Sequence, residues 1–166
     1  FTIDTTAPRL SSVTRYSPSL ATTSADTLKF RVLFNEGVTG VGPADFAVVG
    51  STATVGSVTP VAGVLGAYVV TITGGDLNNL NGSVGLALDP AASLTDISGN
   101  AISDRSSINA SESYTMDNNF PFATITSSAL SISGTQAPTL TFTLNKPASD
   151  FDQSDISVTS GSISNF

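Results

Sequence analysis

Apolar residues alternate with polar ones in short stretches of the chain, and Gly, Pro, Asn and Asp separate these stretches. In residues 28–34 every second residue is Leu, Phe or Val, and Lys29 and Arg31 lie between them. Residues 68–73 and 84–88 alternate in the same way. A period of two residues with charge on one face is typical of a β-strand that is buried on its other face.

Four shorter segments have the same character, which gives seven predicted strands. They are residues 10–16, 46–49, 53–58 and 112–116. No segment shows a sustained apolar stripe of helical period. Seven short strands within about 110 residues predict an all-β fold, an immunoglobulin-like seven-stranded antiparallel β-sandwich.

The chain also repeats itself. Its first eight residues, FTIDTTAP, are echoed by YTMDNNFP at 114–121, so that Asp4 corresponds to Asp117 at a shift of 113. Two further echoes run at a shift of 110, from 27–35 to 138–145 and from 44–48 to 154–158. A shift of this length predicts tandem domains rather than solenoid turns.

The repeats divide the chain into three predicted parts. Residues 1–4 are the terminal strand or linker of a preceding repeat, 5–117 a complete repeat, and 118–166 the first part of a following one. In that part we predict the first three strands and the start of the next. Half a sandwich exposes its apolar face and sheet edges. Either the segment is a fragment of a longer ordered chain, or another segment completes it.

Composition limits the partners. The net charge is −7 and only 11% of the residues are charged, which disfavours nucleic acid and anionic membrane surfaces as partners. The longest apolar stretch, residues 61–72, is too short to span a bilayer, so we expect no membrane insertion. There is no cysteine, and therefore no disulfide stabilises the chain.

The same composition disfavours catalysis. Without His or Cys, neither a Ser-His-Asp nor a Cys-His site can form within this chain. A glycosidase with paired carboxylates stays formally open, but Glu36 and Glu112 fall in different loops or strands, and the sequence indicates no pocket that would raise a carboxyl pKa. We therefore predict that the chain is not an enzyme.

The acidic residues follow a spatial pattern. In an antiparallel sandwich, successive loops lie at alternate ends, which we call the N-terminal and C-terminal poles. All eleven Asp residues lie outside the middle of the predicted strands. The N-terminal pole receives Asp4, Asp45, Asp89, Asp96 and Asp104, and the C-terminal pole receives Asp26, Asp76 and Asp117. In the next repeat, Asp150, Asp152 and Asp155 fall in the loop expected to face Asp117.

Like charges at a domain junction repel unless a cation bridges them. Oxygen ligands without His or Cys favour Ca²⁺. The sequence thus predicts Ca²⁺ at the junctions between repeats, with neighbouring repeats of the same chain as partners. The candidate ligands are Asp4, Asp45, Asp96, Asn100, Asp104, Asp117, Asp150, Asp152 and Asp155. The alternative is that Asp and Asn occupy turns because their side chains bond to nearby backbone.

Two candidate ligand positions are ambiguous. Residues 96–100 begin like an EF-hand loop, but Ala101 and Ser107 stand where that loop needs Gly and Glu. A short ligand loop and an ordinary Gly-Asn turn both remain open. Glu36 could add a ligand, but Lys146 occupies the corresponding position of the next repeat, so this ligand cannot be obligatory at every junction.

Residues 33–40, 44–46, 94–101 and 114–117 together resemble the bacterial immunoglobulin-like repeats of giant RTX-type, type I-secreted surface adhesins. The resemblance implies a non-catalytic extender at the bacterial cell surface, which projects a distal binding domain in adhesion or biofilm formation. It also implies that Ca²⁺ stiffens the linkers, with Asp4, Asp117, Asp96 and Asn100 as ligands. The distal host, surface or glycan ligand would be bound by other domains.

A second function stays open, in which the chain is a glycan- or peptide-binding module of a secreted or S-layer protein. Sugar sites usually expose aromatic side chains, and this chain has no Trp. The sequence assigns its tyrosines, Tyr16, Tyr68 and Tyr114, mostly to strands or core.

Overall fold

The computed structural model describes residues 3–105 and 110–166. Two compact units make up the chain, unit 1 at residues 1–118 and unit 2 at residues 119–166. The division at 1–4, 5–117 and 118–166 stays a prediction. Among the described residues there is no helix with the length and apolar character needed to cross a membrane.

Unit 1 contains two main sheets. The first has five strands in the order β10 (Ala110–Ser111), β1 (Leu10–Ser17), β3 (Thr27–Phe34), β7 (Ala67–Thr73) and β6 (Thr54–Pro60). The second has four strands in the order β2 (Thr22–Thr23), β11 (Tyr114–Asp117), β8 (Asn81–Leu88) and β5 (Phe46–Val49). Pairing is antiparallel except where β10 joins β1 and β2 joins β11. The predicted all-β, immunoglobulin-like sandwich is confirmed.

The sequence did not predict four two-residue strands. Two of them, β2 and β10, extend the edges of the main sheets. The other two, β4 (Val38–Thr39) and β9 (Thr95–Asp96), pair with each other in a separate antiparallel ladder. Two residues are too few to show a period, so this ladder has no signature in the hydrophobic pattern.

The core lies between the two main sheets. Leu28, Phe30 and Val32 of β3 are fully buried, which confirms the predicted alternation. The Phe30 ring meets the ring of Tyr114 from β11 edge-to-face, with centroids 5.1 Å apart. The hydroxyl of Tyr114 accepts a hydrogen bond from the Tyr16 amide (3.2 Å) and lies 2.8 Å from the Lys29 carbonyl oxygen. One side chain thus joins strands of both sheets.

Unit 2 repeats the beginning of unit 1. It contains β12 (Ala123–Ser127), β13 (Leu140–Leu144) and a short 3₁₀ helix at Gln153–Asp155. The two strands pair antiparallel, as β1 and β3 do in unit 1. The rings of Phe142, Phe151 and Phe166 lie in series with centroids 5.7 Å apart. The 3₁₀ helix corresponds to Pro43–Asp45 of unit 1 at the shift of 110.

The predicted third strand of the second repeat does not form. Among the described residues, its counterpart in unit 1, β5, pairs with β8 alone, and no described residue of unit 2 corresponds to β8. Residues 156–159, which would match β5, carry no strand. The prediction was wrong because a strand needs a hydrogen-bonding neighbour as well as a suitable sequence.

We predict that Tyr114→Phe lowers the free energy of unfolding by about 1–3 kcal/mol, because it leaves part-buried backbone groups unpaired while the apolar ring stays. Urea unfolding followed by circular dichroism measures the effect. The matched control is Tyr16→Phe: that side chain is 54% exposed, and its hydroxyl bonds to no other described residue. Equal stability of Tyr114→Phe and the wild type would contradict the prediction.

Candidate metal centre

Three segments meet at the N-terminal pole of unit 1: the entry segment (residues 4–9), the loop after β3 (35–39) and part of the long loop before β11 (94–104). Backbone bonds hold them together. The Asn35 amide donates to the Arg9 carbonyl (3.1 Å), and the Ser103 amide donates to the Pro8 carbonyl (3.0 Å). The ladder of β4 and β9 joins the second segment to the third.

Asp96 is fixed by its own turn. Asp96 is buried, with only 4% of its surface exposed. The Asn100 side-chain amide donates to Oδ2 and the Asn100 backbone amide to Oδ1, each at 2.8 Å. Gly99, at φ +87°, closes the turn in the left-handed region that glycine tolerates. The Asn100 side chain is the main cause that lowers the pKa of Asp96, and backbone donors add to it while burial opposes it.

Glu36 comes to Asp96 through the β4–β9 ladder, in which Val38 pairs with Asp96. Its backbone is in close contact with Gly66, where an added Cβ would lie 2.2 Å from the Glu36 carbonyl oxygen. The side-chain amide of Asn35 donates to Oε1 of Glu36 at 3.2 Å. Backbone packing therefore sets the position of this acid.

Asp4 completes the group from the entry segment. Its Oδ1 accepts a bond from the Thr6 amide (3.0 Å), and its Oδ2 accepts one from the Ser98 hydroxyl (3.4 Å). Its backbone carbonyl accepts a bond from the side-chain amide of Asn100 at 3.2 Å. Asn100 thus braces both Asp4 and Asp96.

The result is a cluster of three carboxylates, Asp4, Glu36 and Asp96. Each contributes an oxygen, and these oxygens all lie within 4.8 Å of one another. None of the three forms an ion pair with a described Lys or Arg. Because Ca²⁺–oxygen distances are about 2.3–2.6 Å, oxygens on opposite sides of one ion are roughly 5 Å apart. The donor set and its spacing fit a hard divalent cation.

Two other candidates at this pole, Asp45 and Asp104, lie outside this cluster. Oδ2 of Asp45 accepts a bond from the Gly42 amide (2.8 Å) and closes the short 3₁₀ helix. Asp104 forms a β-bridge with Arg9. Neither belongs to the three-carboxylate cluster.

The remaining candidates are divided between the units. Asp117 is the last residue of β11 in unit 1. That it faces the loop with Asp150, Asp152 and Asp155 stays a prediction. In unit 2, Oδ1 of Asp152 accepts bonds from the amide and hydroxyl of Ser154, which lower its pKa. Oδ2 of Asp155 accepts a bond from the Asp152 amide (2.9 Å), which is the pattern of Asp45 in unit 1.

Part of the chain matches a known family. Residues 117–166 match the family model of the bacterial Ig-like domain. No curated protein and no solved structure matches the chain. The bacterial Ig-like match covers unit 2 and the last residues of unit 1, and the shared shifts of 110 and 113 relate that segment to unit 1.

Sequence reasoning left Glu36 outside the ligand set. Because Lys146 stands at the equivalent position of the next repeat, Glu36 could not be a ligand at every junction. It can still be a ligand in one repeat. The available signal was local: Glu36 follows a buried strand at the pole where Asp4 enters.

We predict that Asp96→Asn, compared with the wild type in EDTA, weakens the loss of stability in acid. A folded-state pKa below 3.8 contributes stability that is present above the unfolded-state value and is lost as the pH falls through the folded-state value. Unfolding free energies between pH 5 and pH 2 should therefore fall less steeply in the variant. Asp26→Asn, at an exposed acid of the other pole, is the control, and parallel curves for Asp96→Asn and the wild type would contradict the prediction.

Proposed function

We propose that this chain is a non-catalytic extender of a bacterial surface adhesin, and that Ca²⁺ stiffens unit 1 where the chain enters it. The observation that carries the calcium proposal is the convergence of Asp4, Glu36 and Asp96. Bacterial Ig-like domains and tandem repetition are what a spacer requires, because each added domain lengthens the chain by a folded unit.

The three carboxylates come from three separate segments, so one ion would connect all of them. It would hold the entry segment against the two loops and remove the repulsion among the acids. An entry segment held in this way acts as a fixed connection, whereas a free one acts as a hinge. In an extender this difference sets how far a distal domain can be projected.

The proposed cation is Ca²⁺ because the ligand atoms are all oxygens, which backbone amides and neighbouring side chains hold in place. Zinc and copper prefer His or Cys, which the chain lacks. Mg²⁺ requires shorter, near-octahedral contacts and retains its waters. In the described part of the chain, Asn100 and Asn35 position the carboxylates.

The proposed setting is the cell surface, with a role in adhesion or biofilm formation through a distal domain. Extracellular calcium modules bind with Kd on the order of 10⁻⁴–10⁻³ M, so a site of this class is filled outside the cell. Without disulfides, an ion is a suitable means of bracing such a module.

We predict that millimolar Ca²⁺ raises the thermal midpoint of the full chain by roughly 2–8 °C over EDTA, because a ligand of the folded state stabilises it by mass action. Differential scanning calorimetry measures the midpoint. Glu36→Gln and Asp4→Asn should each reduce the rise, since each removes a charged ligand.

The control is again Asp26→Asn, which removes one negative charge at the opposite pole and should keep the full rise. Mg²⁺ at equal concentration should produce a smaller rise. A midpoint that is the same in EDTA and Ca²⁺ would refute the calcium part of the proposal. An equal loss of response in Asp26→Asn would assign the effect to net charge.

A further inference from the structure

The two repeats place opposite charges at one equivalent position. Glu36 follows Asn35 in unit 1, and Lys146 follows Asn145 in unit 2, at the shift of 110. The surrounding bonds are the same. Asn35 Oδ1 accepts the Arg9 amide and Asn145 Oδ1 accepts the Phe122 amide, each at 2.7 Å.

The bonds in the opposite direction, from the asparagine backbone amides, also have equal lengths in the two units. The Asn35 amide donates to the Arg9 carbonyl and the Asn145 amide donates to the Phe122 carbonyl, both at 3.1 Å. Arg9 and Phe122 differ by 113, the shift of the entry segments. The backbone that presents Glu36 in one repeat therefore presents Lys146 in the other.

The ammonium of Lys146 bonds to the entry segment of unit 2, residues 119–122, which corresponds to part of residues 4–9 in unit 1. Nζ donates to the backbone carbonyl of Asn119 at 2.8 Å. Asn119 corresponds to Thr6, whose amide binds Asp4 in unit 1. The Lys146 residue is half-buried, so it is not a fully solvated surface lysine. In unit 2 a cationic side chain thus stands at the position of Glu36, one of the three clustered carboxylates of unit 1, and bonds to the entry segment.

We propose that Lys146 is a built-in cation, which braces the entry segment of unit 2 in the role that Ca²⁺ has in unit 1. The inference rests on the calcium role proposed above. An ammonium supplies one positive charge and three donors, and it cannot dissociate from the chain. Calcium dependence then belongs to unit 1, and the entrance of unit 2 stays braced at any Ca²⁺ concentration.

The main test transfers the lysine to unit 1. We expect the full chain with Glu36→Lys to lose the calcium-dependent rise in thermal midpoint. In EDTA its midpoint should exceed that of the matched control, Glu36→Met, which removes the acid without adding a cation. A retained calcium response, or a midpoint in EDTA no higher than that of Glu36→Met, would overturn the inference.

A second test examines unit 2 and does not depend on that variant folding. Lys146→Met should accelerate amide hydrogen exchange at Phe122 and Asn145 by the same factor in EDTA and in Ca²⁺. Wild-type protection at these amides should be unchanged by Ca²⁺. Protection that rises with Ca²⁺ in the wild type, or exchange unaltered by Lys146→Met, would overturn the inference.

The outcomes separate the two proposals. A wild-type chain whose midpoint ignores Ca²⁺ refutes the calcium role in unit 1, and the inference fails with it. A wild type that responds to Ca²⁺, together with a Glu36→Lys variant that still responds, leaves the calcium role intact and refutes only the role of Lys146.

Discussion

Backbone pairing at the N-terminal pole decides where the acids of unit 1 lie. The β4–β9 ladder brings Glu36 to Asp96, and the bond from the Ser103 amide to the Pro8 carbonyl holds the long loop against the entry segment that carries Asp4. These contacts do not depend on the charges they bring together. Among the described residues no Lys or Arg pairs with these acids, so the fold brings three like charges together. Protons, solvent or a cation can relieve the repulsion among them. The oxygen-only donor set makes a divalent cation an effective means of relief.

The comparison of the two units shows which structural features recur in both repeats. The reciprocal bonds of Asn35 and Asn145 recur with equal distances, and so does the short helix closed by Asp45 or Asp155. Side-chain burial does not recur. Leu140 is 47% exposed, whereas the corresponding Phe30 is fully buried. The local hydrogen-bonding pattern thus forms from the first two strands, while burial requires strands that residues 119–166 do not contain.

The sequence predicted features that depend on local order. The alternation in β3 identified its buried face, and the echo of Asn35 at Asn145 identified equivalent structure. It did not predict features that depend on a partner. The strand expected after Asp155 failed because its neighbour is missing, and the β4–β9 ladder was too short to leave a period. The division of loops between the poles placed Asp4 and Asp96 at one end of the sandwich. The structure adds Glu36 to them and leaves Asp45 and Asp104 outside the three-carboxylate cluster.

The proposed ligand Glu36 of unit 1 is replaced by Lys146 in unit 2. This replacement is understandable if the entry segment of each repeat needs a cation, but not the same cation. Calcium can be lost by dilution, and the stability that it gives follows its concentration. A lysine gives a weaker and constant brace, because its ammonium is a single charge on a flexible stem. Under the proposed roles, Glu or Lys after the asparagine that both units share, Asn35 or Asn145, would change the response to calcium and keep the same backbone bonds. A string of such repeats would then have entrances that stiffen with calcium next to entrances that do not, through one substitution per repeat.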